Sequence, residues 1–331
     1  FGLDISFPAK TIVADSTGII GCASGTGQGT LYYKTKDYVN KDTTKYSVTG
    51  YLSIYLGNVE LEVISYVWDQ NMTISYTKDS LPSTETNIDG FYEKATNVNY
   101  NCAGNGYGEV VTLKNLTCFN YESGGSGIGF YNFTDGEKNI RVNSYNCGSI
   151  SVGSTYNIKG YISLKNYSPI IVATQITNST QNPTPLDYEK YATNITIENL
   201  RKNARPVDNT SDKMPAYISS WKNIYKTTGY LTSCYESGNY YIGIRDTFYS
   251  SELEIEGKGQ ARTTYKMALI ENPNFWKCSW EDIELFNPLG EYINVDSPIT
   301  VYYIQRQEDK FNKSSAWNIL LINDSLPTLD K

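Results

Sequence analysis

Apolar and polar positions alternate from the first residue of this chain. Phe1, Leu3, Ile5 and Phe7 are apolar, Gly2, Asp4 and Ser6 between them are small or polar, and Pro8 closes the run. Alternate side chains of a strand point to opposite faces, so residues 1–7 predict an extended strand with one apolar face. Two outcomes are open to it. The segment pairs with its own module as an edge strand, or it is donated into the open sheet of a neighbouring subunit. In the second case main-chain hydrogen bonds supply affinity and alternate side chains fill pockets.

The same period of two recurs downstream. It predicts strands at residues 30–39, 45–56, 58–68 and 72–76, with Gly57-Asn58 as a tight turn. A second group falls at 109–120, 127–133, 139–145, 155–165 and 169–176, and a third at 224–234, 239–246, 252–256 and 281–286, ending in a hairpin of 299–305 with 316–322. Residues 194–199 suit a strand and 261–270 a short helix. The glycine-rich stretch 18–29 reads as a loop or bulged connection, because no Gly-Lys-Ser/Thr follows to make it a phosphate cradle.

A phrase, Tyr-x-x-x-Gly-Tyr-(Leu/Ile)-(Ser/Thr), begins at Tyr46, Tyr156 and Tyr225. A glycine inside a strand marks a bulge, a bend or a close backbone approach, so the phrase is architectural. Polar stretches with prolines, 78–91 around Pro82 and 181–215 with Pro183, Pro185 and Pro206, divide the chain. The expected organisation is an N-terminal strand (1–17), a β module (18–85), a second β module (86–180), a linker or long loop (181–215) and a third module with the C-terminal hairpin (216–331). The fold class is all-β, with tandem barrel or sandwich modules of OB-like or Ig-like kind. Five short strands in the second module resemble the OB-fold barrel.

Composition adds what the chain is not suited to do. Its 331 residues are 40% hydrophobic and include 30 Tyr, 10 Phe and 3 Met, which points to aromatic and β-branched cores. There is no histidine. That removes the usual neutral-pH general base, the imidazole of nucleophile pairs and the commonest transition-metal ligand. A carboxylate-only active site is the enzyme design left. Its best candidates are Glu252, Glu254 and Glu256 on one strand face, and Glu281, Asp282 and Glu284 beside Trp276 and Trp280. Each reads more simply as a solvated face or as core packing of the tryptophans, so no enzyme, metal or cofactor is expected. Net charge of −7 with no basic cluster argues against nucleic acid at neutral pH.

Cys22, Cys102, Cys118, Cys147, Cys234 and Cys278 form no C-x-x-C pair. Without histidine, an even count fits disulfides in an oxidising compartment. Cys102–Cys118, Cys234–Cys278 and Cys22–Cys147 are the favoured pairings, and buried free thiols are the alternative. Glycosylation sequons lie at Asn71, Asn115, Asn132, Asn166, Asn178, Asn194, Asn209, Asn312 and Asn323, spread over every region after the first seventy residues. No apolar run is long enough to span a bilayer, and the opening Phe1 reads as a mature end after signal-peptide removal.

Taken together, these features resemble the cell-surface glycoproteins of archaea, particularly surface-layer proteins and filament subunits of acid-loving, heat-loving lineages. The resemblance implies an extracellular structural protein carrying N-linked glycans, whose partners are copies of itself, joined through Phe1, Leu3, Ile5 and Phe7. Surface glycans held on OB-like faces are the second partner class.

Overall fold

The computed structural model describes residues 3–4, 10–15, 17–24, 28–31, 46–55, 58–68, 80–97, 102–123, 129–144, 147–165, 168–196, 222–236, 239–245, 267–269, 298–305 and 317–321. These residues are mostly strand, in several sheets with few helices. The chain divides into two compact units, Phe1–Leu186 with Thr210–Met214, and Asp187–Asn209 with Pro215–Lys331. Expected modules 18–85 and 86–180 therefore share the first unit.

The first sheet holds β1 (Leu3–Asp4), β2 (Lys10–Ala14), β3 (Ile19–Ala23), β4 (Tyr46–Tyr55) and β5 (Asn58–Trp68) in the order β1-β2-β3-β5-β4. Its neighbours run antiparallel except β3 and β5, which are parallel. Strand β3 lies in the stretch expected to be a loop. Its Ile19, Cys22 and Ala23 are buried, and that apolar burial outweighs the glycines around it.

In the same unit follow β6 (Thr84–Glu85), helix α1 (Ile88–Ala95), β7 (Thr96–Asn97), β8 (Cys102–Ala103), β9 (Val110–Ser123), β10 (Gly129–Thr134), β11 (Asn139–Asn143), β12 (Thr155–Lys165) and β13 (Ser168–Asn178). Five of them form a ring, in which β9 pairs with β10, β10 with β11, β11 with β13, β13 with β12, and β12 again with β9. Only β11–β13 is parallel. Strand β6 adds to β9 outside the ring, and β7 pairs with β8 as a separate ribbon.

Helix α1 falls at the start of what the sequence suggested was the second module, on its polar approach. It buries Ile88, Phe91, Tyr92 and Ala95, the i, i+3, i+4, i+7 spacing of one helical face. The side chain of Asn87 accepts from the Gly90 amide at 2.8 Å, satisfying one of the open donors of the first turn. Lys138 binds Asp89 in the same first turn, and at the other end Lys94 pairs with Glu109 at 2.5 Å.

The first sheet and the ring meet in one apolar cluster. Ile12 and Ile19 pack with Leu81, Val110, Phe130, Tyr161, Ile170 and Val172. Backbones touch here as well. The Ile19 amide donates to the Gly108 carbonyl at 2.9 Å. Gly108 has φ +81°, and a Cβ there would sit 2.2 Å from the Ile19 carbonyl oxygen, so only glycine permits the approach.

In the second unit, helix α2 (Tyr188–Tyr191) and β14 (Thr193–Asn194) precede β15 (Tyr225–Glu236), β16 (Asn239–Arg245), β17 (Met267–Leu269), β18 (Ile299–Gln305) and β19 (Trp317–Leu321). These last five again pair in a circle, β15-β16-β17-β19-β18 and back to β15. Here β16–β17 is parallel and β17–β19 antiparallel, the reverse of the arrangement around β11. Strand β17 stands where the sequence suggested a helix. Ladder bonds on both sides override helix propensity in so short a segment.

Candidate functional site

The phrase places two of its copies in equivalent positions. Tyr46 opens β4, the Tyr156 copy lies in β12, and each strand is the fourth in chain order of its five-stranded set. In both, the register slips just before the glycine: at Thr49/Gly50 against β5 and at Lys159/Gly160 against β13. A Cβ on Gly50 would lie 2.1 Å from the Glu62 carbonyl oxygen, and one on Gly160 2.5 Å from that of Val172. The glycines exist for these bulges. Both hairpins then end alike, at Tyr55–Asn58 and Lys165–Ser168. In the second unit the phrase runs along β15, the first strand of its five, with no slip recorded at Gly229.

Equivalent residues of the two hairpins have opposite exposure. Ile162 and Leu164 are 0% and 1% exposed inside the ring, whereas Leu52 and Ile54, which hold their places in β4, are 68% and 48% exposed. Tyr51, Ile64 and Val67 are exposed on the same hairpin. Among the described residues β4 pairs with β5 alone, so one edge of this apolar hairpin is open. The hairpin is nevertheless well held. Tyr46 meets Tyr66 edge-on at 5.9 Å, the Tyr66 hydroxyl donates to the Gly29 carbonyl at 2.6 Å, and Ser53 donates to Glu62 at 3.3 Å.

Of the expected donor strand, Leu3 and Asp4 form β1, an edge strand of the first sheet paired with Thr11 and Lys10 of β2. Phe1, Ile5 and Phe7 lie outside the described residues. Within this one chain Leu3 and Asp4 thus lie at a sheet edge.

Cys22 and Cys118 are buried free thiols, the alternative to the favoured pairings, so neither Cys22–Cys147 nor Cys102–Cys118 is bridged in this structure. The Cys147 thiol instead donates to the Ala173 carbonyl at 3.2 Å, and burial pushes Cys22 and Cys118 up to about 11. The side chain of Cys234 and all of Cys278 fall outside the described residues.

Among the sequons, Asn115, Asn178 and Asn194 are exposed. Asn132 is not: it is 0% exposed and its amide donates to Glu122 at 2.7 Å, which takes it off the list of sites open in the folded chain. Asn71, Asn166, Asn209, Asn312 and Asn323 lie outside the described residues. So do the acidic candidates, Glu252, Glu254, Glu256, Glu281, Asp282 and Glu284, with Trp276 and Trp280.

Sequence reasoning missed a buried ionic cluster on β9, β10 and β11. Arg141 donates to Glu122 at 2.7 Å, Asn132 occupies the other carboxylate oxygen, and the guanidinium lies 4.0 Å over the Phe130 ring. The signal was only a Glu, an Asn and an Arg at strand positions otherwise rich in aromatics. The bonds consume the carboxylate in structure rather than chemistry. On the same strands Tyr121 stacks against Tyr131 at 4.8 Å, and burial raises the Tyr131 hydroxyl above its ordinary value.

Among the described residues no group of three or more Cys, Asp or Glu is gathered to hold a metal, and no helix is long and apolar enough to cross a membrane. No protein-family model matches the chain, and no curated protein matches it.

Proposed function

We propose that this chain is a structural subunit of an extracellular, glycosylated assembly, most concretely a cell-surface filament whose subunits are joined by donor-strand complementation, in the style of archaeal surface proteins. The observation that carries this reading is the open, apolar hairpin β4–β5 in the same sheet as an N-terminal edge strand. An exposed edge with apolar side chains is a template for pairing with another chain. A surface-layer component is the same kind of object assembled as a lattice.

The ring order of β9–β13, antiparallel except for its third and fifth strands, supports an OB-like barrel for residues 86–180. Among the described residues the first sheet follows the same order without closing. The Tyr121–Tyr131 stack, with Tyr121 exposed, favours a second reading as a glycan-binding or adhesion protein. Removing residues 1–8 from the full chain is the deciding experiment. The donor-strand reading expects folded monomers and no polymer by negative-stain imaging, and polymers of ordinary length would overturn it. A glycan array in which Tyr121→Ala changes nothing would dispose of the second reading.

A further inference from the structure

The ring in this chain shows what its first sheet lacks. In the ring, strand one is β9. It pairs with β12 along Val110–Thr117 and with β10 along Thr117–Ser123, antiparallel in both cases. Towards β12 it sets Val111 opposite Gly160, Leu113 opposite Ile158 and Leu116 opposite Tyr156, all three apolar side chains buried. The seat continues past Tyr161, where the Ile162 amide donates to the Glu109 carbonyl at 3.0 Å.

In the first sheet, strand one is β1. Among the described residues it pairs with β2 at Leu3 and Asp4, and the seat on β4 that corresponds to the one β9 fills on β12 holds no strand. Leu52, at the end of that seat, and Ile54, two residues beyond it, are exposed, whereas their counterparts Ile162 and Leu164 are closed in.

We propose that this seat on β4 receives the N-terminal strand of a second copy of the chain, residues 1–7, running antiparallel to β4 and covering Leu52 and Ile54. The proposal rests on the donor-strand reading and adds the receiving surface to it. Three observations select this occupant. The N-terminal segment already holds the strand-one place in its sheet order, next to β2. Its Phe1, Leu3, Ile5 and Phe7 repeat the alternation with which β9 presents Val111 and Leu113 to β12. Its described hold on its own sheet is the two pairs Leu3–Thr11 and Asp4–Lys10, little to exchange for a longer ladder on a neighbour. Donated strands of this kind draw affinity from main-chain bonds and register from alternate pockets.

The test places a photo-crosslinking residue at Ser47, which is exposed on β4, in the full-length chain. Heavy-isotope and light copies are mixed, assembled, irradiated and digested. The expected product joins the β4 peptide of one label to the peptide ending at Lys10 of the other. Links confined to one label mean that the chain covers its own β4, and mixed-label links to any other peptide mean a different occupant; either result overturns the proposal. As a second measurement, the variant Leu52→Lys/Ile54→Lys is expected to keep its circular-dichroism spectrum and unfolding transition while pelletable polymer falls about tenfold or more. Wild-type polymer from that variant overturns the proposal as well. If removal of residues 1–8 abolishes polymer but the Ser47 links land elsewhere, the receiving surface alone is wrong. If polymer survives the removal, the donor-strand reading itself falls.

Discussion

Asn58 is bonded to Leu164 as one strand is bonded to another. Its Nδ2 donates to the Leu164 carbonyl at 2.7 Å and its Oδ1 accepts the Leu164 amide at 2.9 Å, all buried. The Ser163 hydroxyl adds a donor to the same Oδ1 at 3.3 Å. Leu164 needs this, because its amide and carbonyl face the same edge of β12 as those of Ile162, and the backbone partners described on that edge end with Gly108 and Glu109 at Ile162. A side chain at the start of β5 therefore finishes the end of β12 and ties the first sheet to the ring.

Asn58→Ala leaves both backbone groups of Leu164 buried without that partner. Each such group costs about 1–3 kcal/mol. The first unit is expected to lose about 2–5 kcal/mol in urea unfolding. Asn58→Asp keeps the acceptor and is expected to lose less. Equal losses for the two variants would mean that the acceptor bond from the Leu164 amide contributes nothing.

Gly50→Ala and Gly160→Ala drive a methyl group into a backbone carbonyl of the paired strand. Forcing such overlap costs about 1–3 kcal/mol. Gly153 has φ +87° and open space around it, so Gly153→Ala carries only the backbone strain. Thermal unfolding is expected to rank Gly160→Ala below Gly153→Ala.

The Glu122–Arg141 pair is buried, and removing one partner strands the other charge. Glu122→Gln or Arg141→Met alone is expected to cost about 3–5 kcal/mol, and the double variant less than the sum. A double-mutant cycle of denaturant midpoints measures the coupling. Additive losses would show that the two charges do not depend on each other.

Glycopeptide mass spectrometry of native material is expected to find glycan on Asn115, Asn178 and Asn194 and none on Asn132. Glycan at Asn132 would require the Glu122 contact to be broken in the mature fold.

Cys22 and Cys118 also set an alkaline limit. Their thiols are raised from 9.0 to about 11 by burial, so the folded state holds protons that the unfolded chain releases earlier. The stabilisation is complete below pH 9.0 and is lost as pH rises through about 11. Urea midpoints are expected to fall across that window, and less so in Cys22→Ala/Cys118→Ala. At pH 8, alkylation of the native chain is expected to reach Cys147 before either of them.

Much of the strand map was legible in the residues. The periods predicted β5 and the reach of β12 and β18 because alternation of Val, Ile, Leu and Tyr with polar residues is a local property of the chain. Helix α1 was equally present as the spacing of Ile88, Phe91, Tyr92 and Ala95, but the polar residues and proline before it masked the signal. Strand β3 hid among glycines, and β17 borrowed its conformation from its neighbours.

The sequence by itself determined the all-β class and the hairpins around Gly50 and Gly160, since these follow from local pattern. Tertiary structure decided what each pattern is worth. The same phrase is sealed in the ring at Ile162 and uncovered in the first sheet at Leu52, because exposure depends on whether a strand distant in sequence pairs alongside. It also decided that Asn132 is a core residue rather than a site open to glycan, and that Cys22 and Cys118 are buried thiols. A sequon or a cysteine is recognised by its neighbours in the chain, but its availability is set by its neighbours in space.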